Sequence, residues 1–365
     1  MTIHITEAYD GRLLRSFLKL TLGLSTAVLS KLKNHEQGIL VNGNRVTVRY
    51  VLRAGDVLEL KDRDTEETAT EHVIPCKLPL SVLYEDDHVI ALNKPAGMPT
   101  HPSHGHLCDT LANALAYRYA EAAEPFVFRP LGRLDRNTSG VVIAGKTRAA
   151  SGCLGRALKN QEVIKRYVAI LVGEMPGDGT VQILQAPIYH PTPNGEKSGS
   201  IKRAVGSIET DGAVYAETRY RVLATGGGYT LVLCQPVTGR THQLRVHFSH
   251  LGYPILGDDI YGESSPHIER HALHALSLSV PLPFFHAHEA GMDCVPPLAD
   301  PDERLPLNHP TPDGYLHTWA PLPHDMENLL RTHFPTCALC TDSPTVGLLK
   351  HLQLTEIRPS PLVDG

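Results

Sequence analysis

The stretch Gly132 to Gly140, GRLDRNTSG, sets one carboxylate, Asp135, between Arg133 and Arg136 and follows it with small polar residues. Such a carboxylate has two readings. It can be the anion that satisfies its neighbouring guanidinium groups, as paired aspartates commonly do. It can also be a reagent, because a carboxylate adds covalently to an electrophilic carbon and leaves again. The second reading needs an exposed loop, a pocket shielded from water, and a distant cation that keeps the group ionised and aimed. TGRTHQLRVH (238–247) offers that cation: Arg240 and Arg245 flank His242 and Gln243, and a helix face of this composition suits an anion or a nucleobase. In IKRYVAI (164–170), read as a strand, Lys165 and Tyr167 share a face while Arg166 points the other way. A tyrosine ring there can stack on a base, and the lysine beside it can contact a phosphate. Taken singly, each segment is equally an ordinary ion pair, a partly polar helix or a surface strand.

Two other clusters carry chemistry of a different class. THPSHGHLCD brings His101, His104, His106 and Asp109 together, a set a metal-dependent hydrolase could use, although in a loop rich in proline and glycine it reads first as a solvated segment. Cys337 and Cys340 form a C-x-x-C pair with His333 upstream, but the second half of a zinc site is missing, so no structural metal is expected. The seven cysteines follow no disulfide-framework spacing, which points to reduced thiols. No apolar run approaches the roughly 20 residues of a spanning helix, and the N-terminus lacks the order of a secretory signal. A cytoplasmic protein without membrane contact is expected, and a monomer.

The formal charge is −5, unevenly spread: residues 289–365 hold 11 acidic against 4 basic residues, or −7, leaving +2 for residues 1–288. Residues 1–60 hold 8 basic against 5 acidic, or +3. The acidity lies in the tail, so a polyanionic partner for the remainder stays open.

The elements that must position these groups fall into two units. Residues 10–60 read as a small α/β unit: Leu14, Phe17, Leu18, Leu22 and Leu24 recur near helical spacing, Ser25 caps a second helix, and Asn42-Gly43 and Gly55-Asp56 turn successive strands. A charged linker (61–77) follows. Residues 78–335 then mix strands and helices without regular βαβ repetition: a helix over 107–121, a buried strand in TSGVVIAGKT, a helix in TRAASGCLGRALKN, a strand around Tyr167, strands at 213–223 and 228–236, a helix from Gly239 to Leu251, and a strand at 273–280. An insertion is expected at about 288–314, a strand and helix at 317–330, and a tail over 336–365. The fold class is α+β, with a mainly antiparallel sheet in the larger unit.

RPLGRLDRNTSGVVIAGKT, IKRYVAILVG and PVTGRTHQLRVHFSHLGYPILGDDIYG, in this order and preceded by DDHVIALNKPAGMPTHPS, resemble the RluA-type pseudouridine synthases over roughly residues 78–285. The first unit resembles the S-four RNA-binding domain through GRLLRSFL, GLSTAVLSKLKNHEQGILVNG and AGDVLEL. The resemblance implies a catalytic role for Asp135 as nucleophile, for Tyr167 as the aromatic that stacks on the flipped uracil, and for Arg245 as the aspartate's partner. It implies substrate contacts from Arg133, Arg136, Lys165, Arg240, His242 and Gln243. In the N-terminal unit it implies RNA contacts from Arg12, Arg15, Lys31, Lys33 and Arg45. Many members carry histidine where Gly132 stands, so local RNA contacts are expected to differ here. The implied reaction is redox-neutral and needs no cofactor. Its substrate would be structured RNA, large-subunit ribosomal RNA first and transfer RNA second, against the competing reading of an RNA-binding protein without activity.

Overall fold

The computed structural model describes residues 2–61, 73–191, 201–282, 309–310, 314–335 and 348. The N-terminal unit is a four-stranded antiparallel sheet of β1 (Thr2–His4), β2 (Ile39–Val41), β3 (Asn44–Arg45) and β4 (Val57–Leu60), in the order β1-β4-β2-β3. Its hairpin turn follows from Asn42 and Gly43, whose φ angles of 51° and 75° are the left-handed pair such a turn requires. Helix α1 (Leu14–Ser16) runs on into a π turn over Phe17–Thr21, and α2 (Thr26–Asn34) starts where the Ser25 hydroxyl accepts from the Val28 amide at 3.2 Å. The widened turn places Phe17 and Leu22 on one stripe, and Leu14, Phe17, Leu18, Leu22 and Leu24 all enter the core. The strand Thr2–His4 lies ahead of residue 10, where the sequence pattern begins.

Among the described residues the larger unit is built on an eleven-stranded sheet. Its strands are β5 (Ser81–Glu85), β6 (Val89–Lys94), β7 (Arg129–Pro130), β8 (Ser139–Gly145), β9 (Ile164–Val172), β10 (Gln182–Gln185), β13 (Glu217–Gly226), β14 (Tyr229–Pro236), β15 (Leu273–Pro281), β16 (His309–Pro310) and β17 (Tyr315–Trp319). β11 (Ile188–Tyr189) and β12 (Ala204–Val205) pair separately. The main path is β10-β13-β14-β9-β15-β8-β6-β5, antiparallel except where β15 runs parallel to β8. Helices α3 (Leu111–Glu121), α4 (Arg148–Lys159), α5 (Gln243–His250) and α6 (His324–His333) complete it. The α+β expectation, with a mainly antiparallel sheet, holds. The insertion at 288–314, the C-x-x-C pair and the tail lie almost wholly outside the described residues.

Two helix starts differ from the sequence reading. α3 begins at Leu111, because Thr110 and Asn113 cap each other reciprocally there. α5 begins at Gln243, with His242 before it in the left-handed region at φ 57°. Arg240 therefore lies in a turn ahead of the helix, closed by the Gln243 side chain, which accepts from the Arg240 amide at 3.0 Å and from the Thr238 hydroxyl at 2.7 Å.

The two units meet through α4. Ala149 and Cys153 belong to the N-terminal unit's core, the Cys153 thiol donates to the Leu22 carbonyl at 3.2 Å, and Arg156 donates to the Leu20 carbonyl at 3.1 Å. Gly23 and Gly152 make this approach possible: a Cβ on Gly23 would lie 2.5 Å from the Gly152 carbonyl oxygen.

Candidate active site

The centre of the sheet brings the sequence segments together. Across three strands Tyr167 of β9 pairs with Ala275 of β15, and Ala275 pairs with Gly140 of β8. Gly140 has φ 116°, and a Cβ there would lie 2.2 Å from the Ala275 carbonyl oxygen, so only glycine lets β15 close on β8 at this register. The segment 131–138 enters β8 just before that point.

Every carbonyl from Leu134 to Asn137 accepts a hydrogen bond. The Thr100 hydroxyl donates to Leu134 at 3.1 Å, the Thr138 amide to Asp135 at 3.1 Å, Lys94 Nζ to Arg136 at 3.0 Å, and Arg270 Nη1 to Asn137 at 3.2 Å. Lys94 is fully buried, and its other two protons go to the carbonyls of Pro95 and Met98 at 2.9 and 2.7 Å. Burial draws its pKa down to about 7, with the charge of Asp135 opposing. Arg270 is itself clamped by Asp325 of α6 at 2.7 and 3.0 Å. Behind the loop, Thr138 shares a hydrogen bond with His271 at 2.8 Å and Ser139 one with His274 at 2.9 Å. A loop backbone fixed at four successive residues can hold a side chain in one productive orientation.

That side chain is Asp135. It keeps 30% exposure and pairs with Arg245 Nη1 at 3.3 Å, while Arg245 Nε and Nη2 grip Asp258 at 2.6 and 2.7 Å. Burial alone would raise the Asp258 pKa, but hydrogen bonds from Arg245 and its charge hold it low. The Arg245 guanidinium also lies over the Tyr261 ring, 5.2 Å from its centroid. His242 Nε2 stands 3.9 Å from Asp135 Oδ2. Its Nδ1 meets the Tyr261 hydroxyl at 2.9 Å, and that hydroxyl already accepts from the Arg203 amide at 2.7 Å. The tyrosine's own proton is thus free to go to Nδ1, leaving Nε2–H facing the carboxylate. Burial lowers the His242 pKa against the opposing charge of Asp135, which favours this neutral form.

Tyr167 is partly buried between two core clusters. Burial, and then the negative charge of Asp135, raise its phenol pKa, so the hydroxyl stays protonated beside the carboxylate. Asp135 and Arg245 are in contact, and Tyr167 lies close enough to Asp135 to feel its charge. A carboxylate, a guanidinium, a neutral imidazole and an aromatic ring at a partly open loop are a set that can support covalent addition to a planar, uncharged ring.

Proteins with this combination of segments are known. The model of the RNA pseudouridylate synthase family matches residues 88–250. A Bacillus subtilis protein named "Uncharacterized RNA pseudouridine synthase YhcT" is 33% identical over 337 residues, which are 92% of this chain and 97% of its own. The chain belongs to the RluA family of RNA pseudouridine synthases. It is an isomerase. A "Ribosomal large subunit pseudouridine synthase D" from Xanthomonas campestris is 34% identical over 80% of each chain. A "tRNA pseudouridine(32) synthase, mitochondrial" from Saccharomyces cerevisiae is 34% identical over 60% of this chain and 44% of its own.

Around this candidate site the remaining expected residues divide. Arg133 and Arg136 are exposed on the loop, and Arg136 Nη1 lies 3.4 Å from His106 Nε2. Lys165 is partly buried near Gly132. Arg240 is exposed and donates to the Tyr215 carbonyl at 2.9 Å. Gln243 is a correction: it is 4% exposed, and its amide nitrogen donates to the Glu217 carbonyl and the Thr218 hydroxyl at 2.8 and 3.1 Å. With its oxygen engaged as well, it braces the turn and has no group left for substrate. Arg12, Arg15, Lys31, Lys33 and Arg45 are all exposed on the N-terminal unit.

The histidine-rich loop does not converge. His106 bonds Asp109 at 2.6 Å, His101 packs against Phe128, and among the described residues no group of three or more His, Cys, Asp or Glu is placed to hold a metal. No helix of the described residues is long and apolar enough to cross a membrane.

Sequence reasoning missed Lys94, Thr100, Asp258, Tyr261, Arg270 and Asp325. Lys94 left a trace, as a charge ending an apolar strand at a Pro-Ala-Gly turn; Asp258 sat unremarked in LGDDIYG. Arg270 and Asp325 left none, since their value comes from a pairing across 55 residues.

Proposed function

We propose that this chain isomerises uridine in large-subunit ribosomal RNA, with Asp135 as nucleophile, Arg245 as its electrostatic partner and Tyr167 as the stacking aromatic. The observation that carries this reading is the partly exposed Asp135 held at 3.3 Å by an arginine whose other nitrogens are committed to Asp258.

The reaction breaks the N1–C1′ bond, turns the freed uracil, and joins C5 to C1′. The proton lost from C5 balances the one gained at N1. Asp135 holds one of the fragments covalently in between, and a dry wall under the ring keeps the loose base from escaping. The target must leave its stack to reach the site, and Arg133 and Arg136, exposed on either side of Asp135, are suited to the vacated space. Tyr167 stacks on the uracil, and its neutral hydroxyl can take up the C5 proton only as it gives its own to solvent. The exposed cations Arg12, Arg15, Lys31, Lys33 and Arg45 engage the backbone of the same structured RNA.

The Xanthomonas relative supports ribosomal RNA as the substrate; the yeast relative favours transfer RNA as the second reading. Two measurements test this. Tritium release from RNA labelled at uracil C5 should occur with the wild-type chain and vanish for Asp135→Asn, with RNA binding kept; release that persists in the variant removes Asp135 from the mechanism. Mapping pseudouridines in total RNA from a deletion strain should show the loss of a site in large-subunit ribosomal RNA, and loss confined to transfer RNA would select the second reading.

A further inference from the structure

Two lysines serve the site, and they are held in opposite ways. Lys94 gives each of its three protons to a carbonyl. Among the described residues Lys165, on β9, has neither a hydrogen-bond nor an ion-pair partner. Its Nζ lies 3.6 Å from where a Cβ would stand on Gly132, and the position opposite it on β15 is the buried Leu278. An ammonium group flanked by a glycine and a leucine, at the mouth of a reactive loop, lacks an anion. Burial is the cause that lowers its pKa, so pairing with an anion would relieve a cost already present.

Geometry says which anion fits. Lys165 and Tyr167 are two residues apart on one strand and so share a face, roughly 7 Å from one another along the strand. A base stacked on Tyr167 has its own backbone within that reach. Gly132 leaves the intervening space open. A histidine Cβ at 132 would already touch Nζ.

We propose that Lys165 Nζ and the gap left by Gly132 form an anion slot that binds the backbone phosphate 5′ to the target uridine. This rests on the pseudouridine synthase reading of the site and names the contact that draws the target's backbone in. The lysine acts on binding of the everted nucleotide, and the carboxylate chemistry at Asp135 proceeds without it. Gly132 is the enabling residue, since any side chain there competes with the phosphate for the ammonium.

The experiment is a chemical double-mutant cycle. The probe is a short RNA hairpin with one 5-tritiated uridine on which the wild-type chain releases tritium, made with a normal phosphate or a neutral methylphosphonate 5′ to that uridine. Wild-type turnover of the normal hairpin verifies the underlying reading; the cycle then tests Lys165 alone. Lys165→Gln should raise KM about tenfold or more, as loss of a charge-assisted contact does, with kcat within about twofold. The methylphosphonate should cost the wild type the same factor and cost Lys165→Gln nothing further. Gly132→His should weaken binding in the wild type and have little effect on Lys165→Gln. The proposal is overturned if the two KM effects multiply independently, if Lys165→Gln leaves KM unchanged, or if it lowers kcat alone. Circular dichroism spectra matching the wild type separate these outcomes from misfolding, and a Lys165→Arg variant that restores most of the affinity supports a charge contact.

Discussion

Arg245 grips Asp258 with Nε and Nη2 and turns Nη1 to Asp135, so one guanidinium joins a sealed carboxylate to a half-open one. Asp258 is fully buried and Arg245 is 4% exposed. The pair fixes the arginine before any substrate arrives, and catalysis by preorganised charge needs that order of events.

Asp258→Asn should therefore harm both fold and activity. It leaves a buried guanidinium without its bidentate anion, which costs about 3 kcal/mol or more. Urea unfolding should show that loss, and tritium release should fall with it. A variant within about 1 kcal/mol of wild type would mean that other groups suffice to hold Arg245.

Lys94→Met keeps most of the side-chain volume and removes the donor that holds the Arg136 carbonyl. The loop should loosen around Asp135. Misplacement of a reacting group by about 1 Å costs on the order of 100-fold in rate, so kcat should drop while RNA affinity, measured by filter binding, stays within a few-fold. Equal losses in kcat and affinity would place Lys94 outside this role.

Acid should destabilise the fold through the histidines behind the loop. Burial is the main cause that lowers the His271 pKa to about 3 and the His274 pKa to about 4, from an ordinary value near 6.5. Between pH 6.5 and about 4 the unfolded chain binds protons at these positions and the folded chain does not, so stability falls as pH falls. Above pH 6.5 both states are neutral there and the contribution is constant. Thermal unfolding at half-unit steps should show this slope, and His274→Asn should flatten it. An unchanged slope in that variant would assign the acid sensitivity to other groups.

Tyr167→Phe and Tyr167→Leu separate the ring from its hydroxyl. Phenylalanine preserves the stacking surface, so RNA affinity should hold while turnover falls. Leucine should lose affinity as well, by about 1 to 3 kcal/mol, the usual value of a base stacked on an aromatic ring. Full turnover by the phenylalanine variant would exclude the hydroxyl from proton transfer.

Much of the architecture was legible because it is set by neighbours in the chain. The apolar stripe from Leu14 to Leu24, the Ser25 cap and the Asn42-Gly43 turn each depend on residues within a few positions. The same holds for Lys165 and Tyr167 on one face of β9, since strand geometry alternates whatever the strand packs against. The start of α5 was misread because an ordinary helix pattern could not reveal that the Gln243 side chain closes the turn before it.

By itself the sequence determined which groups can react: a carboxylate between two arginines, a tyrosine with a lysine beside it, and a helix bearing arginine. Tertiary structure decided which of these meet, and in what state. Asp135 and Arg245 stand 110 positions apart, and they meet because α5 packs on β13 and β14 while the order β14-β9-β15-β8 brings the loop ahead of β8 alongside, a closure of β15 on β8 that requires the bare Cα of Gly140. It also committed Gln243 to the scaffold, recruited Lys94 and Arg270 as backbone donors, and left Lys165 without a partner among the described residues. Local patterns fix conformation within a few residues, whereas charge pairing and burial depend on distances that only the folded sheet sets.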